Sequence, residues 1–149
     1  MGRKTLASSI NLVWSVTAAP PKCPLDIVFV VDESGSIGTD NFNLTKWFLH
    51  ELVGSLDIDS GNTRVGLVTY STSVAETFNL NDYNTVASVQ SAILSLSYSG
   101  GATDTAEALE YVRTTMLTSA AGDRGNVPNV VVLLTDGMSD STTATQVSN

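Results

Sequence analysis

The chain has 149 residues, of which 42% are hydrophobic and 15% charged, and this balance favours one soluble globular domain over a fibrous or disordered chain. The formal net charge of −8 argues against a nucleic-acid partner, because binding phosphates needs clustered basic side chains and the seven Lys and Arg residues are scattered. No apolar stretch of the sequence is long enough to predict a membrane span.

Residues 1–22 differ in composition from the rest of the chain. A basic start at 3–4, an apolar stretch at 6–16 and small residues at 17–19 resemble a secretory signal peptide. Polar residues interrupt the apolar stretch and two prolines crowd the expected cleavage point, so the alternative is a linker. We therefore divide the chain into a leader or linker, residues 1–22, and one domain, residues 23–149.

The hydrophobic pattern predicts strands alternating with helices. Apolar, mostly β-branched runs at 27–31 and 130–134 are typical of strands buried on both faces of a parallel sheet. Further strands are predicted at 64–70 and, as an edge, at 74–78. Helical spacing of apolar residues predicts helices at 41–53, 85–96 and 105–117; Asp40 or Asn41 would cap the first, Phe48 would be among its apolar positions, and Leu109 would lie on the buried face of the third.

Oxygen-bearing side chains follow the first apolar run at alternating positions. Asp32, Ser34 and Ser36 stand on the turn that leaves this strand. Hard oxygen ligands of this kind suit Mg²⁺ or Mn²⁺. The alternative is that Ser34 and Ser36 are turn formers, since hydroxyl side chains and glycine favour turns.

Two later segments contain oxygen ligands at the ends of predicted elements. Thr103 precedes the third helix, and Asp136 follows the second apolar run. Ligands bind beyond the carboxyl ends of strands in open α/β sheets, so these residues would converge with Asp32 if the two apolar strands are neighbours. Alternatively, Asp104 and Glu107 form a capping box, and Asp136 starts an ordinary turn.

Taken together, the motifs DxSxS, GGxTxT and TDG, in this order and context, resemble those of a von Willebrand factor A-type (vWA) domain, and the match runs in register from residue 25 to 141. The resemblance implies an α/β fold with a doubly wound, Rossmann-like, mostly parallel sheet and flanking helices. It also implies a metal-ion-dependent adhesion site (MIDAS). The strands at 74, 64, 25 and 130 would lie side by side in that order.

The resemblance also assigns roles to individual residues. Ser34 and Ser36 would be direct ligands, Thr103 a direct ligand when a partner is bound, and Asp32 and Asp136 would act mainly through bound water. A Glu or Asp carboxylate of the partner would fill the remaining position. Such a water-rich site is reasonable for Mg²⁺, which dehydrates reluctantly.

Cys23 is the only cysteine in the chain. In many extracellular members of the resembled family, a cysteine before the first strand is bonded to one after the last helix, and that partner is missing here. The family fold also continues past the TDG motif, so we interpret residues 23–149 as a vWA domain that lacks its last strands and helices. The alternative is that Cys23 is a free thiol of no consequence.

Three other residues have simpler interpretations. Asn43 starts an N-x-T glycosylation sequon, which matters if the chain is secreted. His50, the only histidine, lies away from the motifs, and a structural or solvated role is expected. Glu33 should point away from the metal by strand alternation and tune the local charge.

The resemblance to matrilins and nonfibrillar collagens implies a secreted or extracellular-matrix module for cation-dependent adhesion and no enzymatic activity. Its partner would be an extracellular protein that presents Asp or Glu. Two alternatives remain open: a truncated structural fragment without a ligand of its own, and a Mg²⁺-dependent hydrolase. The hydrolase is disfavoured because phosphatase folds need a second aspartate where Ser34 stands, and because no Ser/His/Asp set can be assembled around His50.

Overall fold

Residues 23–137 are described in a computed structural model, and they form a four-stranded sheet with helices on both faces. The elements in chain order are β1 (Leu25–Asp32), α1 (Gly38–Gly54), β2 (Thr63–Tyr70), β3 (Val74–Phe78), α2 (Val86–Ser95), α3 (Thr105–Tyr111) and β4 (Asn129–Leu134). A π-helical turn, Val112–Met116, continues α3 directly, and a 3₁₀ turn, Ser119–Ala121, follows it. The predicted alternation of strands and helices is confirmed.

The strand order is β3-β2-β1-β4. β1 is parallel to both β2 and β4, and β3 is antiparallel to β2. The predicted order and the mostly parallel, Rossmann-like sheet are therefore confirmed. Since β1, β2 and β4 run in the same direction, their carboxyl ends lie at one edge of the sheet, where the sequence motifs follow.

β1 is apolar at successive positions because both of its faces are covered. Phe29 and Val31 belong to the core under α1 and α2, whereas Val28 and Val30 belong to the core under α3. All four side chains are fully buried. A strand buried on one face only would need polar residues at alternate positions, so the run at 27–31 predicted the two-sided core.

The start of α1 differs from the prediction. The helix begins at Gly38, and neither Asp40 nor Asn41 caps it. Asp40 lies inside the first turn, where the helix dipole favours a carboxylate, and the Asn41 amide donates back to the Ile37 carbonyl. Phe48, expected at an apolar position of the helix, is 54% exposed.

α3 ends earlier than the sequence predicts, and its buried face also differs from the prediction. Leu109 is exposed, so the prediction for Leu109 is wrong. The buried side chains of α3 and of the π-helical turn that continues it are Ala108, Val112 and Met116. The α-helix ends at Tyr111 and passes into the π-helical turn. A Cβ atom at Gly66 of β2 would lie 3.1 Å from the Met116 methyl carbon, so glycine there permits the close approach of helix and sheet.

A buried ion pair fixes the edge of the sheet opposite the motifs. Asp26 of β1 is completely buried, and its carboxylate accepts hydrogen bonds from the Arg124 guanidinium at 2.6 and 2.9 Å. The same guanidinium donates to the carbonyls of Leu25, Gly61 and Asn62. The pair therefore joins β1 to the loops before β2 and β4. It takes no part in the opposite edge of the sheet, where the sequence motifs lie.

Candidate metal centre

The carboxyl ends of β1 and β4 bring the first and third motifs together. Val31 pairs with Leu134, so Asp32 and Thr135 leave neighbouring strands at the same level. The Thr135 hydroxyl donates a 2.8 Å hydrogen bond to Asp32 Oδ2. Asp136 follows with an exposed side chain. Parallel pairing of the two apolar strands therefore places two carboxylates at one edge, as the sequence predicts.

The turn after β1 holds its three oxygen-bearing side chains in a defined arrangement. Ser34 N donates to Asp32 Oδ1 at 2.8 Å, and the hydroxyl oxygens of Ser34 and Ser36 are 3.2 Å apart. Asp32 is 2% exposed and Ser34 is fully buried, whereas Ser36 is exposed. Because each carboxylate oxygen of Asp32 accepts a hydrogen bond, this carboxylate is held in one orientation and keeps acceptor capacity on both oxygens.

The loop that contains Thr103 is tied to the same turn. Three hydrogen bonds of 2.7–3.1 Å join them: Gly35 N to the Gly101 carbonyl, the Tyr98 hydroxyl to the Ser34 carbonyl, and the Ser99 hydroxyl to Glu33 Oε1. Thr103 is 5% exposed in this loop. The structure thus brings the second motif against the first through backbone and side-chain contacts.

Gly101 adopts a backbone conformation that the loop requires. Its φ is +117°, and a Cβ atom there would lie 2.8 Å from the Thr72 hydroxyl oxygen. That hydroxyl accepts a hydrogen bond from Ala102 N, and Asp104 N donates to the Ser71 carbonyl. The loop is therefore anchored to the end of β2 as well as to the turn after β1, and only glycine fits at its closest approach.

An open groove of about 440 Å³ lies at this edge of the sheet. Asp32, Ser36 and Asp136 line it with oxygen atoms, and α1 contributes Asn41 and Thr45. The remaining lining residues are Ile37, Leu133, Leu134 and Thr135. None of the described lining residues is basic, so the carboxylate charge in the groove is not neutralised by a lining side chain.

The donor set fits a hard divalent cation. Adjacent ligands of an octahedral Mg²⁺ are about 3 Å apart when each bond is about 2.0–2.1 Å. The 3.2 Å separation of the Ser34 and Ser36 hydroxyl oxygens is close to that spacing. Among residues 23–137, no three His, Cys, Asp or Glu side chains converge to hold a metal ion, so a site here depends on hydroxyl oxygens.

Tyr70 is the last residue of β2 and belongs to the core under α3. It is fully buried, and its hydroxyl is 3.1 Å from the Thr105 hydroxyl. Burial raises the pKa of Tyr70, and the nearby carboxylates of Asp32 and Asp136 raise it further. The folded state therefore favours the neutral, protonated phenol.

Glu33, Asp104 and His50 do not belong to the candidate ligand set. Glu33 is 1% exposed and its carboxylate accepts from Ser99, so it does not line the groove. The Asp104 carboxylate accepts from Glu107 N at the start of α3, a one-sided cap instead of the reciprocal capping box. His50 is also absent from the groove and contacts Glu51 on α1.

Sequence reasoning did not single out the residues that support the site. Thr135 was part of a motif but had no assigned role, and Tyr98 and Ser99 carried no signal. Their contacts join residues 103, 64 and 66 positions apart in sequence. The sequence offered one signal for this support: Thr135, which carries a hydroxyl, directly precedes the candidate ligand Asp136.

Three further predictions concern features outside the groove. Cys23 is exposed with a free thiol. In the part of the chain that the structure describes, no helix is both long and apolar enough to cross a membrane. The predicted leader or linker, residues 1–22, lies outside the described residues.

Comparison with known proteins identifies relatives of the extracellular matrix. The chain is 46% identical to mouse collagen alpha-4(VI) chain over 118 residues, 35% to mouse vitrin over 122, and 36% to chicken matrilin-1 over 115. These alignments cover 78%, 82% and 77% of this chain but only 5%, 19% and 23% of the relatives. Collagen VI, vitrin and matrilin-1 are secreted matrix proteins, and the predicted extracellular location is confirmed on that basis.

Solved structures with the same fold include proximal thread matrix protein 1 from the mussel byssus. One of its structures has a TM-score of 0.74 and 28% identity and covers 80% of this chain and 32% of that one. Another, with a zinc-occupied MIDAS motif, has a TM-score of 0.75 and 28% identity and covers 83% and 33%. The family model for the von Willebrand factor type A domain matches residues 26–149. The chain therefore belongs to the von Willebrand factor type A domain family.

Proposed function

We propose that this domain is a divalent-cation-dependent protein-binding module of the extracellular matrix, which captures an acidic side chain of a partner protein. The observation that carries the proposal is the groove at the carboxyl edge of the sheet. Asp32, Ser36 and Asp136 line this groove, whereas Ser34 and Thr103 are buried and are not among its lining residues. The Ser36 hydroxyl oxygen is 3.2 Å from that of Ser34, and the Asp32 carboxylate beside them is held by the Thr135 hydroxyl.

Five side chains of the chain would have different roles in holding the cation. Ser34 and Ser36 supply neutral hydroxyl oxygens at the spacing of adjacent ligands. Asp32 and Asp136 would balance the charge of the cation, mainly through bound water. Thr103, in the loop tied to the Ser34 turn, would supply a third hydroxyl when a partner is engaged. Because three of these five side chains are neutral, they would leave the charge of the cation only partly balanced, and a carboxylate of the partner would complete the site.

The oxygen-only donor set favours Mg²⁺ or Mn²⁺. Zinc prefers imidazole and thiolate ligands, and neither lines the groove among the described residues. The zinc-occupied MIDAS of the mussel relative supports occupancy of a related site by a divalent cation. We expect Mg²⁺ to be the physiological ion, because it is abundant and because a hard cation prefers oxygen ligands.

The same geometry favours binding over catalysis. A phosphatase-type hydrolase would need a second aspartate at the position of Ser34, and the Asp32 carboxylate is held in one orientation by Ser34 N and the Thr135 hydroxyl. The histidine lies on α1 and does not line the groove. The relatives named above are matrix proteins, which supports a binding role.

The proposal is tested with an immobilised peptide library in which each peptide containing Glu or Asp has a Gln or Asn counterpart. Binding of the purified chain is measured in Mg²⁺, in Mn²⁺, in Zn²⁺ and in EDTA. We expect binding to the acidic members only, in the presence of Mg²⁺ or Mn²⁺, and loss of that binding in EDTA. Equal binding in EDTA, or to the amide counterparts, would refute capture of an acidic side chain.

Matched variants separate the site from general surface effects. Ser34→Ala removes one proposed ligand, and Ser91→Ala removes an exposed hydroxyl from α2. Asp32→Asn removes a carboxylate charge from the groove, and Asp40→Asn removes one from the exposed first turn of α1. We expect the first member of each pair to abolish cation-dependent binding and the second to preserve it.

A further inference from the structure

The exposed surface of α1 carries the only N-x-S/T sequon in the sequence, at Asn43-Leu44-Thr45. Asn43 is exposed, whereas the buried side of this helix is formed by Phe42, Leu49 and Val53. The sequon therefore lies on a surface that the described part of the fold leaves accessible.

Three exposed apolar side chains lie to one side of this asparagine on α1. Leu44 is 66% exposed, Trp47 57% and Phe48 54%, and we call these three residues the α1 patch. Large side chains this exposed on consecutive turns of one helix form a contiguous apolar surface, which soluble proteins normally cover. Trp47 is four residues after Asn43, the spacing at which two side chains on a helix are neighbours.

We propose that Asn43 carries an N-linked glycan and that the first sugar, an N-acetylglucosamine, packs on the indole of Trp47. Helical side chains lean towards the amino terminus, so the indole lies over the turn that contains Asn43. The His50 ring meets the indole edge-on from the following turn, at 5.5 Å between centroids and 65° between planes. The sugar then covers part of the α1 patch with its C–H face and keeps its hydroxyls in water.

The modification needs a lipid-pyrophosphate-linked oligosaccharide as its donor. The Asn43 amide nitrogen attacks C1 of the first N-acetylglucosamine and forms the C–N bond, while the C1–O bond to pyrophosphate breaks. The lipid pyrophosphate leaves with the electron pair of that bond, and the amide nitrogen loses one proton to solvent. Transfer occurs on the unfolded chain, so the hydrogen bond of the Thr45 hydroxyl to the Asn41 carbonyl, at 3.0 Å in the folded helix, does not oppose it.

The glycan would not block the proposed metal site. Asn41 and Thr45 line the groove from α1. With 3.6 residues per turn, Asn43 projects about 160° away from each of them around the helix axis. This inference rests on the extracellular location of the chain and not on the bound cation, so the two proposals can fail separately.

The test routes the full chain into the secretory pathway of cultured animal cells behind an efficient signal sequence. Protein from medium and cells is analysed by mass before and after peptide-N-glycosidase. We expect a glycan on the wild type and on Thr45→Ser, and its complete loss in Asn43→Gln and Thr45→Ala. Wild-type protein without a glycosidase-sensitive mass in either fraction would overturn the proposal.

A second measurement tests the contact with Trp47. In a Trp14→Phe background, Trp47 is the only tryptophan, and acrylamide quenching reports its accessibility. We expect lower quenching in the glycosylated chain than after enzymatic deglycosylation, which converts Asn43 to aspartate, and the deglycosylated chain should match Asn43→Asp. Equal quenching with and without the glycan would overturn the packing of sugar on indole.

Discussion

Replacing Arg124 with alanine should be among the most destabilising single substitutions in the domain. The Asp26 carboxylate is completely buried, and Arg124 neutralises it while donating to three carbonyls of neighbouring segments. Removing one partner of a buried ion pair typically costs about 3–5 kcal/mol, because a charge remains in a poorly solvated position. Since Arg124 N also donates to Asp26 Oδ2, a bond that alanine retains, we expect the lower part of that range, about 3–4 kcal/mol.

Urea unfolding followed by circular dichroism measures this effect. With a slope of about 1.5–2 kcal/mol/M, the midpoint should fall by roughly 2 M. Arg113→Ala is the control, because its ion pair with Glu110 is exposed, and its midpoint should be unchanged. The double change Asp26→Asn with Arg124→Met should recover much of the loss. A midpoint for Arg124→Ala equal to that of the wild type would refute the buried pair.

Three further predictions concern the groove and its support. Thr135→Val removes the hydroxyl that orients Asp32, and it should weaken Mn²⁺ binding about 10–100-fold in isothermal titration calorimetry. The control Thr114→Val, at an exposed position, should leave Mn²⁺ binding unchanged. Gly101→Ala should destabilise the domain by about 1–3 kcal/mol in urea because of its positive φ and the contact with Thr72, and Gly125→Ala, which meets no atom within 4 Å, should be neutral. Burial raises the pKa of Tyr70, so the folded state holds this proton more tightly than the unfolded state. The free energy of unfolding should therefore fall as pH rises above 10 in the wild type and fall less in Tyr70→Phe, and equal falls would contradict this cause.

The central sheet was predictable because its signals are local and strong. Two uninterrupted apolar runs indicated two strands covered on both faces. This prediction is confirmed for β1, but it is wrong for β4, which lies at the edge of the described sheet with Val130, Val131 and Leu133 39–40% exposed. The bounds of β3, Val74–Phe78, match the prediction. Apolar spacing cannot tell which faces of a helix are covered, which is why Leu109 and Phe48 were expected at apolar positions and are exposed.

The sequence motifs predicted the candidate ligands, but not the residues that hold the ligand-bearing turn in place. Asp32, Ser36 and Asp136 reach one groove because parallel strands end at the same edge. The contacts of Tyr98 and Ser99 with the Ser34 turn join segments that are more than 60 residues apart in sequence. No local sequence pattern predicts such a contact. The π-helical turn after α3 likewise coincides with the packing of Met116 on Gly66, a tertiary contact.

In the proposed metal site, hydroxyl and carboxylate oxygens from three loops hold one divalent cation. Electron paramagnetic resonance of free Mn²⁺ during titration counts the ions bound per chain and needs no knowledge of the partner. We predict one ion per wild-type chain, competition by Mg²⁺, and loss of the site in the double variant Ser34→Ala, Ser36→Ala, with Ser91→Ala unchanged. Binding of Mn²⁺ to the double variant with wild-type affinity would contradict the account.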